Sequence, residues 1–205
     1  NGAVWTLAPV YAHSHGLTNG LLAAFMSAFT LMGAFVQVPV GRLSDHVDRR
    51  YVIAAASILA AATGLLLAWL GGKSHTAAIG IVALYGAVTL PVYGLSVAHA
   101  NDRLPRDAFV ETSATLLLVN ALASAIGPLL AALVTTGFGT AMLFVYTAVI
   151  HTMLAAFALV RTRVMEAPAE EFHEPFAPVL PTASQVSLEL DPRGPESDPP
   201  VEDAA

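Results

Sequence analysis

The fold is decided by ten residues, Gly41-Arg42-Leu43-Ser44-Asp45-His46-Val47-Asp48-Arg49-Arg50. They form a dense group of charges between two apolar runs, residues 19–40 and 51–72, which contain no Asp, Glu, Lys or Arg. A bilayer core of about 30 Å is crossed by about 20 helical residues, and each run has that length. The stretch therefore predicts a polar connection between two transmembrane helices.

The composition of the whole chain supports a membrane protein. Hydrophobic residues make up 56% of the 205 residues, charged residues only 12%, and the mean hydropathy is +0.66. These values are far from those of a soluble domain. We predict an all-α, polytopic membrane helix bundle in residues 1–163. The predicted spans are residues 1–12 (a partial helix), 19–40, 51–72, 76–98, 111–134 and 138–160.

The distribution of Lys and Arg predicts the orientation of the bundle. One side receives seven arginines, whereas the other receives only Lys73. Connections on the cytoplasmic side carry the excess of positive charge. The sequence therefore predicts a multi-pass protein of the inner (plasma) membrane with its C-terminal tail in the cytoplasm. The seven arginines are Arg42, Arg49, Arg50, Arg103, Arg106, Arg161 and Arg163.

The tail, residues 164–205, has a different composition. It holds ten of the fifteen Asp and Glu residues, eight of the thirteen prolines and a single base, Arg193. Such a segment cannot bury enough apolar surface to fold alone, so we predict a disordered acidic tail. A docking or regulatory role for this tail is the alternative. The net charge of −6 therefore reflects the tail and gives no information about partners.

Several classes of function find no support. The chain has no cysteine, which excludes disulfides and thiolate metal sites. It has no zinc-binding or serine-nucleophile motif and no pair of carboxylates within a span, so we predict no enzyme, no metal and no cofactor. Nor does a basic patch with interleaved aromatics indicate a nucleic-acid partner. A channel is disfavoured because no filter-like sequence or repeated ring of charges occurs.

The charged stretch resembles a known signature. Gly41-x-Leu43-x-Asp45-x-x-x-Arg49-Arg50, after a second span, is similar to the motif Gly-x-Leu-x-Asp-Arg-x-Gly-Arg-Arg/Lys of the major facilitator superfamily. His46 and Asp48 depart from that motif, where an arginine and a glycine are usual. Asp48 is expected to tolerate the left-handed conformation of such a glycine. Both departures are expected to weaken the contacts of the motif.

The resemblance also implies an architecture. Family members have two halves of six helices, and this chain looks like the C-terminal half of such a protein with its first helix truncated. The implied partners are a missing N-terminal half, the lipid bilayer and a small-molecule substrate. The implied function is secondary active transport of a small solute by alternating access. The alternative is a non-transporting membrane sensor or scaffold that retains the fold.

Two roles are possible for the residues of the motif. Gly41, Leu43, Asp45, Arg49 and Arg50 are predicted to form a conformational latch at the membrane surface, where ion pairs that close in one state bias a two-state equilibrium. The resemblance implies that the partner of Asp45 lies in the other half. The alternative is that the arginines only set the topology.

The resemblance further implies which residues line a substrate cavity. The candidates are Trp5, Tyr11, Met26, Gln37, Tyr85, Tyr93, Asn120 and Ser124. Helix-to-helix hydrogen bonding is the alternative for Gln37 and Asn120, and core packing is the alternative for the aromatics. His151 is the sole ionisable residue near the centre of a span and is a weak candidate for a proton relay. A surface cluster of salt bridges is predicted for Asp102, Glu111, Arg103 and Arg106.

Overall fold

A computed structural model of the chain describes residues 1–102 and 109–164. These two ranges contain α-helices and no strand. The predicted acidic tail, Arg103 and Arg106 lie outside the described residues. The helices are α1 (Gly2–Ser14), α2 (Asn19–His46), α3 (Arg49–Leu70), α4 (His75–Thr89), α5 (Pro91–Asn101), α6 (Phe109–Phe138) and α7 (Met142–Val164).

Five helical segments are long and apolar enough to cross a membrane. Four of them lie in α2, α3, α6 and α7, and the fifth combines α4 and α5 as His75–Asn101. Helix α1, with 13 residues, is shorter than a full crossing requires. The predicted fold class, an all-α membrane helix bundle, is therefore confirmed.

The charged stretch is more helical than predicted. Helix α2 runs to His46 and α3 begins at Arg49, so only Val47 and Asp48 separate the two helices. The Ser44 hydroxyl donates to the Gly41 carbonyl oxygen at 2.6 Å, and a ring nitrogen of His46 lies 2.8 Å from the carbonyl oxygen of Arg42. These contacts are local to the last turns of α2 and let the helix continue through a polar sequence.

The predicted conformation of Asp48 is wrong. Its φ is −53° and its ψ is 116°, and no described non-glycine residue has a positive φ. Asp48 is instead the N-cap of α3, and its carboxylate accepts a hydrogen bond from the backbone N–H of Arg50 at 2.9 Å. Aspartate is among the preferred N-cap residues, because it satisfies one of the donors that the first helical turn leaves unpaired.

The predicted span 76–98 is divided by a proline. Helix α4 ends at Thr89 and α5 begins at Pro91. A proline has no N–H to continue the backbone hydrogen bonding, but it suits the first position of a new helix. Leu90 keeps a helical φ and ψ of −68° and −38°, so the two helices follow each other directly.

Small residues bring helix backbones close together, as the sequence predicts. A methyl group added at Gly86 of α4 would collide with the backbone of Phe29 of α2. In α3, whose most extensive contacts are with α7, Ala54, Ala60 and Gly64 are buried. Close packing of α2 on α4 and of α3 on α7 therefore depends on glycine and alanine residues at the contacts.

An aromatic core lies between α1, α2, α4 and α7. The Tyr11 and Phe144 rings meet edge to face with centroids 4.8 Å apart, and those of Tyr85 and Phe144 at 5.6 Å. Phe25 and Phe29 of α2 complete the group. In contrast, most of the apolar side chains of α6 and of residues 31–43 of α2 are exposed. A second, smaller buried cluster includes Ile53 and Leu95, and the bundle covers α6 and α2 less than its other long helices.

Candidate functional site

A buried arginine lies at the end of the bundle where α2, α3 and α5 meet. Arg49 lies in the first turn of α3. Its Nη2 atom is 3.1 Å from Oδ1 of Asp45, and its Nε atom is 2.8 Å from Oδ2 of Asp102. The exposed fractions of the side chains are 1% for Arg49, 22% for Asp45 and 2% for Asp102. One guanidinium therefore joins the last turn of α2 to the residue that follows α5.

The burial of these charges makes the network costly to disturb. Moving a charge out of water is unfavourable unless a partner is present, and removal of one partner from a buried pair costs about 3–5 kcal/mol. The planar guanidinium of arginine can contact two carboxylates at once, which a lysine cannot do with the same geometry. Loss of any one of these three side chains would therefore disturb a buried contact between α3 and its neighbours.

A second ion pair lies beside the first. The Arg50 guanidinium donates from Nε to both carboxylate oxygens of Asp48 at 3.0 Å and from Nη2 to Oδ2 at 2.6 Å. Its Nη1 donates to the carbonyl oxygen of Arg161 in the last turns of α7 at 3.0 Å. Arg50 therefore connects the start of α3 to the end of α7. The two consecutive arginines reach different neighbours.

The electrostatics favour the ionised form of Asp48. Partial burial opposes ionisation, but hydrogen bonds from Arg50, the charge of Arg50 and the nearby His99 outweigh it, and the pKa of the Asp48 carboxyl is lowered. A negative charge at this position also faces the positive N-terminal end of α3, which stabilises the helix. Asp48 thus offsets the unfavourable placement of two arginines in a first helical turn.

These contacts bear on two predictions about the charged residues. Asp45 pairs with Arg49 four residues later, and the expectation of a partner in another half of the protein stays a prediction. Asp102 was expected in a surface cluster, but it is buried and pairs with Arg49. Packing of α5 against α2 and α3 brings Asp102 to this position. The side chain of Glu111 lies outside the described part of the chain, so the remainder of that cluster stays a prediction.

Asp48 also has a larger structural role than its departure from the motif predicts. It was expected to weaken the motif, yet it caps α3 and holds Arg50. An N-cap signal was present in the sequence, because an Asp stands directly before the helical run. Of the other motif residues, Gly41 is buried in α2 and Leu43 is 56% exposed. Leu43 therefore does not take part in the ion-pair network.

Two cavity candidates lie in the core of the bundle. Tyr11 and Tyr85 are each 1% exposed. The Tyr11 hydroxyl donates to the carbonyl oxygen of Leu67 at 3.0 Å, and the Tyr85 ring lies between those of Phe29 and Phe144. These contacts favour the core-packing alternative for both residues. A solute could reach neither ring in this conformation.

The other cavity candidates have open or partly open positions. Trp5 is 45% exposed and meets the Phe29 ring edge to face at 5.2 Å. Ser124 is exposed, where the start of α1 approaches α6. Four more are partly buried, and a role in binding a solute stays a prediction for all six. The four are Met26, Gln37, Tyr93 and Asn120.

His151 lies within the bundle and away from the ion-pair network. Its ring meets that of Tyr85 edge to face with centroids 6.4 Å apart, and its buried Nδ1 atom has no hydrogen-bond partner among the described residues. Among residues 1–102 and 109–164, no group of three or more His, Cys, Asp or Glu could hold a metal ion. The aromatic contact supports a packing role for His151.

Comparison with known proteins agrees with this architecture. A bundle of long apolar helices, with a charged network at one end, defines a multi-pass membrane protein. Residues 1–190 match the family model described as Major Facilitator Superfamily. The chain belongs to the major facilitator superfamily, and this confirms the resemblance of its motif.

Several curated relatives are similar to most of the chain. The chain is 24% identical over 147 residues to a protein named "Uncharacterized MFS-type transporter YcaD" from Escherichia fergusonii, and equally to proteins of that name from Shigella flexneri and Escherichia coli K12. The matches cover 72% of this chain and 37% of each relative. The chain thus spans little more than a third of the length of these relatives. No solved structure gives a significant match.

Proposed function

We propose that this chain forms the C-terminal half of a secondary active transporter that moves a small solute across the inner membrane by alternating access. The family membership and the printed names of the relatives support transport. The exposed faces of α2 and α6 support a second half, because apolar faces within a bundle require either lipid or another helix. Enzymatic chemistry has no place in this proposal.

The observation that carries the mechanism is the double contact of Arg49 with Asp45 and Asp102. It joins the ends of α2, α3 and α5 at the side that the arginine distribution assigns to the cytoplasm. We propose that this network is closed in one conformation of the transporter and open or rearranged in another. A network with two arrangements biases the equilibrium between two states by its free energy in each.

The latch contains more than the family motif. Asp45, Arg49 and Arg50 act with Asp48 and Asp102, whereas Gly41 is buried in α2 and the exposed Leu43 is available for contact with lipid or with the other half. Arg50 extends the network to α7 through the Arg161 carbonyl. Movement of α5 or α7 relative to α3 would therefore have to break a buried contact. We propose this dependence as the way in which helix movement and latch opening are coupled.

We propose that six residues contribute to the solute cavity. They are Trp5, Met26, Gln37, Tyr93, Asn120 and Ser124. Gln37 and Asn120 supply uncharged hydrogen-bonding groups within apolar helices, and Trp5 and Tyr93 supply aromatic surface. This set suits a small solute that is neutral at its contacts with this half, because it contains no charged side chain.

Flux measurements with the intact natural protein test the proposal. Cells that produce the protein, cells that produce the Asp45→Asn variant and cells with neither would be compared for uptake and export of labelled sugars, amino acids, organic acids and organic cations. Transport predicts that at least one compound moves faster with the natural protein than with the variant. If the protein is folded in the membrane and no compound moves faster than in cells without it, the sensor or scaffold alternative is favoured.

A further inference from the structure

A pocket of about 190 Å³ opens between α3, α5 and α7, beside the ion-pair network. Three basic side chains line it: Arg50, His99 and Arg161. Each lies in the terminal turns of its helix, at the end of the bundle that carries the five arginines of the described residues. The pocket therefore presents basic groups where the membrane surface is expected.

The wall of the pocket changes from basic to apolar along the helix axes. Ile53 lies one turn below Arg50 in α3, and Phe157 and Leu154 lie one and two turns below Arg161 in α7. Phe157 is 61% exposed, and the Arg161 guanidinium lies 5.8 Å from the centre of its ring. Basic groups at the surface would face the charged head group of a phospholipid, and the apolar groups below them would face its acyl chain.

The arginines that line the pocket differ in how freely they can bind an anion. Asp48 already holds the Arg50 guanidinium through three hydrogen bonds, which offsets much of its charge. No carboxylate in the described ranges, 1–102 and 109–164, forms a salt bridge with Arg161. Arg161 is thus the group best placed to bind an anion, and His99 and Arg50 line the same pocket.

We propose that this pocket binds the phosphate of an anionic phospholipid, with an acyl chain lying along Phe157 and Leu154. Basic pockets between transmembrane helices on the cytoplasmic side are suited to anionic head groups, because the phosphate gains charge-assisted hydrogen bonds while the chain stays in hydrocarbon. The lipid is distinct from the transported solute, since the pocket lies outside the six proposed cavity residues. The inference does not depend on the proposed transport activity.

Binding of short-chain phosphatidylglycerol to the intact protein in a neutral detergent tests the inference. Native mass spectrometry would give the dissociation constant for the natural protein and for two variants with the same loss of charge, Arg161→Gln and Arg163→Gln. Arg163 is exposed and does not line the pocket. We expect binding roughly fivefold weaker for Arg161→Gln and a change of less than about twofold for Arg163→Gln, because one basic residue near the surface contributes about 1 kcal/mol. Equal effects of the two variants would overturn the inference.

Two further comparisons identify the ligand. Phe157→Ala should weaken binding more than Met153→Ala, since Met153 is equally exposed on α7 but lies outside the pocket. Inorganic phosphate should fail to displace the lipid, and phosphatidylcholine should bind more weakly. Displacement by inorganic phosphate would indicate a site for a free anion and would contradict the lipid assignment.

The acidic tail is the competing occupant, because it begins directly after α7. Removal of residues 165–205 should leave the affinity for phosphatidylglycerol and the effect of Arg161→Gln unchanged. If removal of the tail instead raises the affinity several-fold, and a peptide of residues 165–180 displaces the lipid, the tail occupies the pocket of the intact protein and the proposal that a lipid fills it there is overturned.

Discussion

The Nε atom of Arg49 lies 2.8 Å from Oδ2 of Asp102, and both side chains are almost fully buried. The two residues are far apart in the sequence, at the start of α3 and just after α5. Their contact joins the charged motif, through Arg49, to the end of α5. A change in the position of α5 would therefore alter the contacts of Arg49 at the start of α3. Because Arg49 also pairs with Asp45, it would alter a contact at the end of α2 as well.

Loss of the Arg49 side chain should destabilise the protein. Arg49→Gln leaves two carboxylates without their shared cation, and we expect the free energy of unfolding to fall by about 3–5 kcal/mol. Arg42→Gln removes the same charge from an exposed position of the same stretch, and should change stability by less than about 0.5 kcal/mol. Thermal unfolding in detergent measures both. Equal stability of the two variants would contradict a structural role for the buried network.

Asp45→Asn should affect transport more than membrane insertion. Asp45 is the most exposed member of the Arg49 network, so its neutralisation removes an ion pair without burying a new polar group. We expect flux to fall roughly tenfold or more, which corresponds to about 1.4 kcal/mol in the activation free energy. Asp45→Glu keeps the charge and should retain more activity. Wild-type flux in Asp45→Asn would remove the latch from the mechanism.

The α2–α4 contact provides a test of packing with an internal control. Gly86→Ala places a methyl group against the backbone of Phe29 and should destabilise the protein by about 1–3 kcal/mol. Gly80 lies in the same helix with no atom within 4 Å of an added methyl, so Gly80→Ala should raise stability by about 0.5–1 kcal/mol. The opposite signs can be measured by thermal unfolding. A neutral Gly86→Ala would show that the two helices are less closely packed than the structure describes.

The contribution of Asp48 should depend on pH with a defined sign. Because the pKa of its carboxyl is lowered in the folded protein, ionised Asp48 stabilises the fold fully above the ordinary carboxyl pKa of about 3.9. That contribution is lost as the pH falls through the lowered value. Asp48→Ala should cost about 0.5–2 kcal/mol at neutral pH, and Asp48→Asn less, since asparagine keeps the cap.

The measurement for Asp48 is a series of unfolding temperatures at decreasing pH. The difference between the natural protein and Asp48→Asn should be constant near neutral pH and shrink in acid, as both side chains become uncharged. A difference that grows in acid would contradict the assigned sign.

Labelling can test the orientation. The chain contains no cysteine, so a single one introduced into it is the only thiol that the chain offers. His13→Cys should react with a membrane-impermeant maleimide added outside the cell, because His13 is exposed at the end opposite to the arginine-rich one. Arg163→Cys should react only after the membrane is opened. Labelling of Arg163→Cys from outside the cell would contradict the predicted topology.

The membrane character of this protein follows from its sequence. Apolar runs of about 20 residues have few alternatives to helices that cross a bilayer, since every backbone polar group must be paired there. The motif from Gly41 to Arg50 also identified the family, because it combines glycine and charges at fixed spacing next to a span. The apolar runs and the motif are both local features of the sequence. They can therefore be recognised without knowledge of how the helices pack.

The partners of the charges were decided only by tertiary structure. Nothing in the spacing of Asp102 relative to Arg49 indicates that they meet, because the contact depends on how α5 packs against α2 and α3. The same holds for Tyr11 and Tyr85, whose amphipathic rings suit either a cavity or a core. Helices, family and charge distribution could be read from local sequence alone. Which arginines are buried, which carboxylates contact them and which aromatic rings lie in the core depend on how the helices pack.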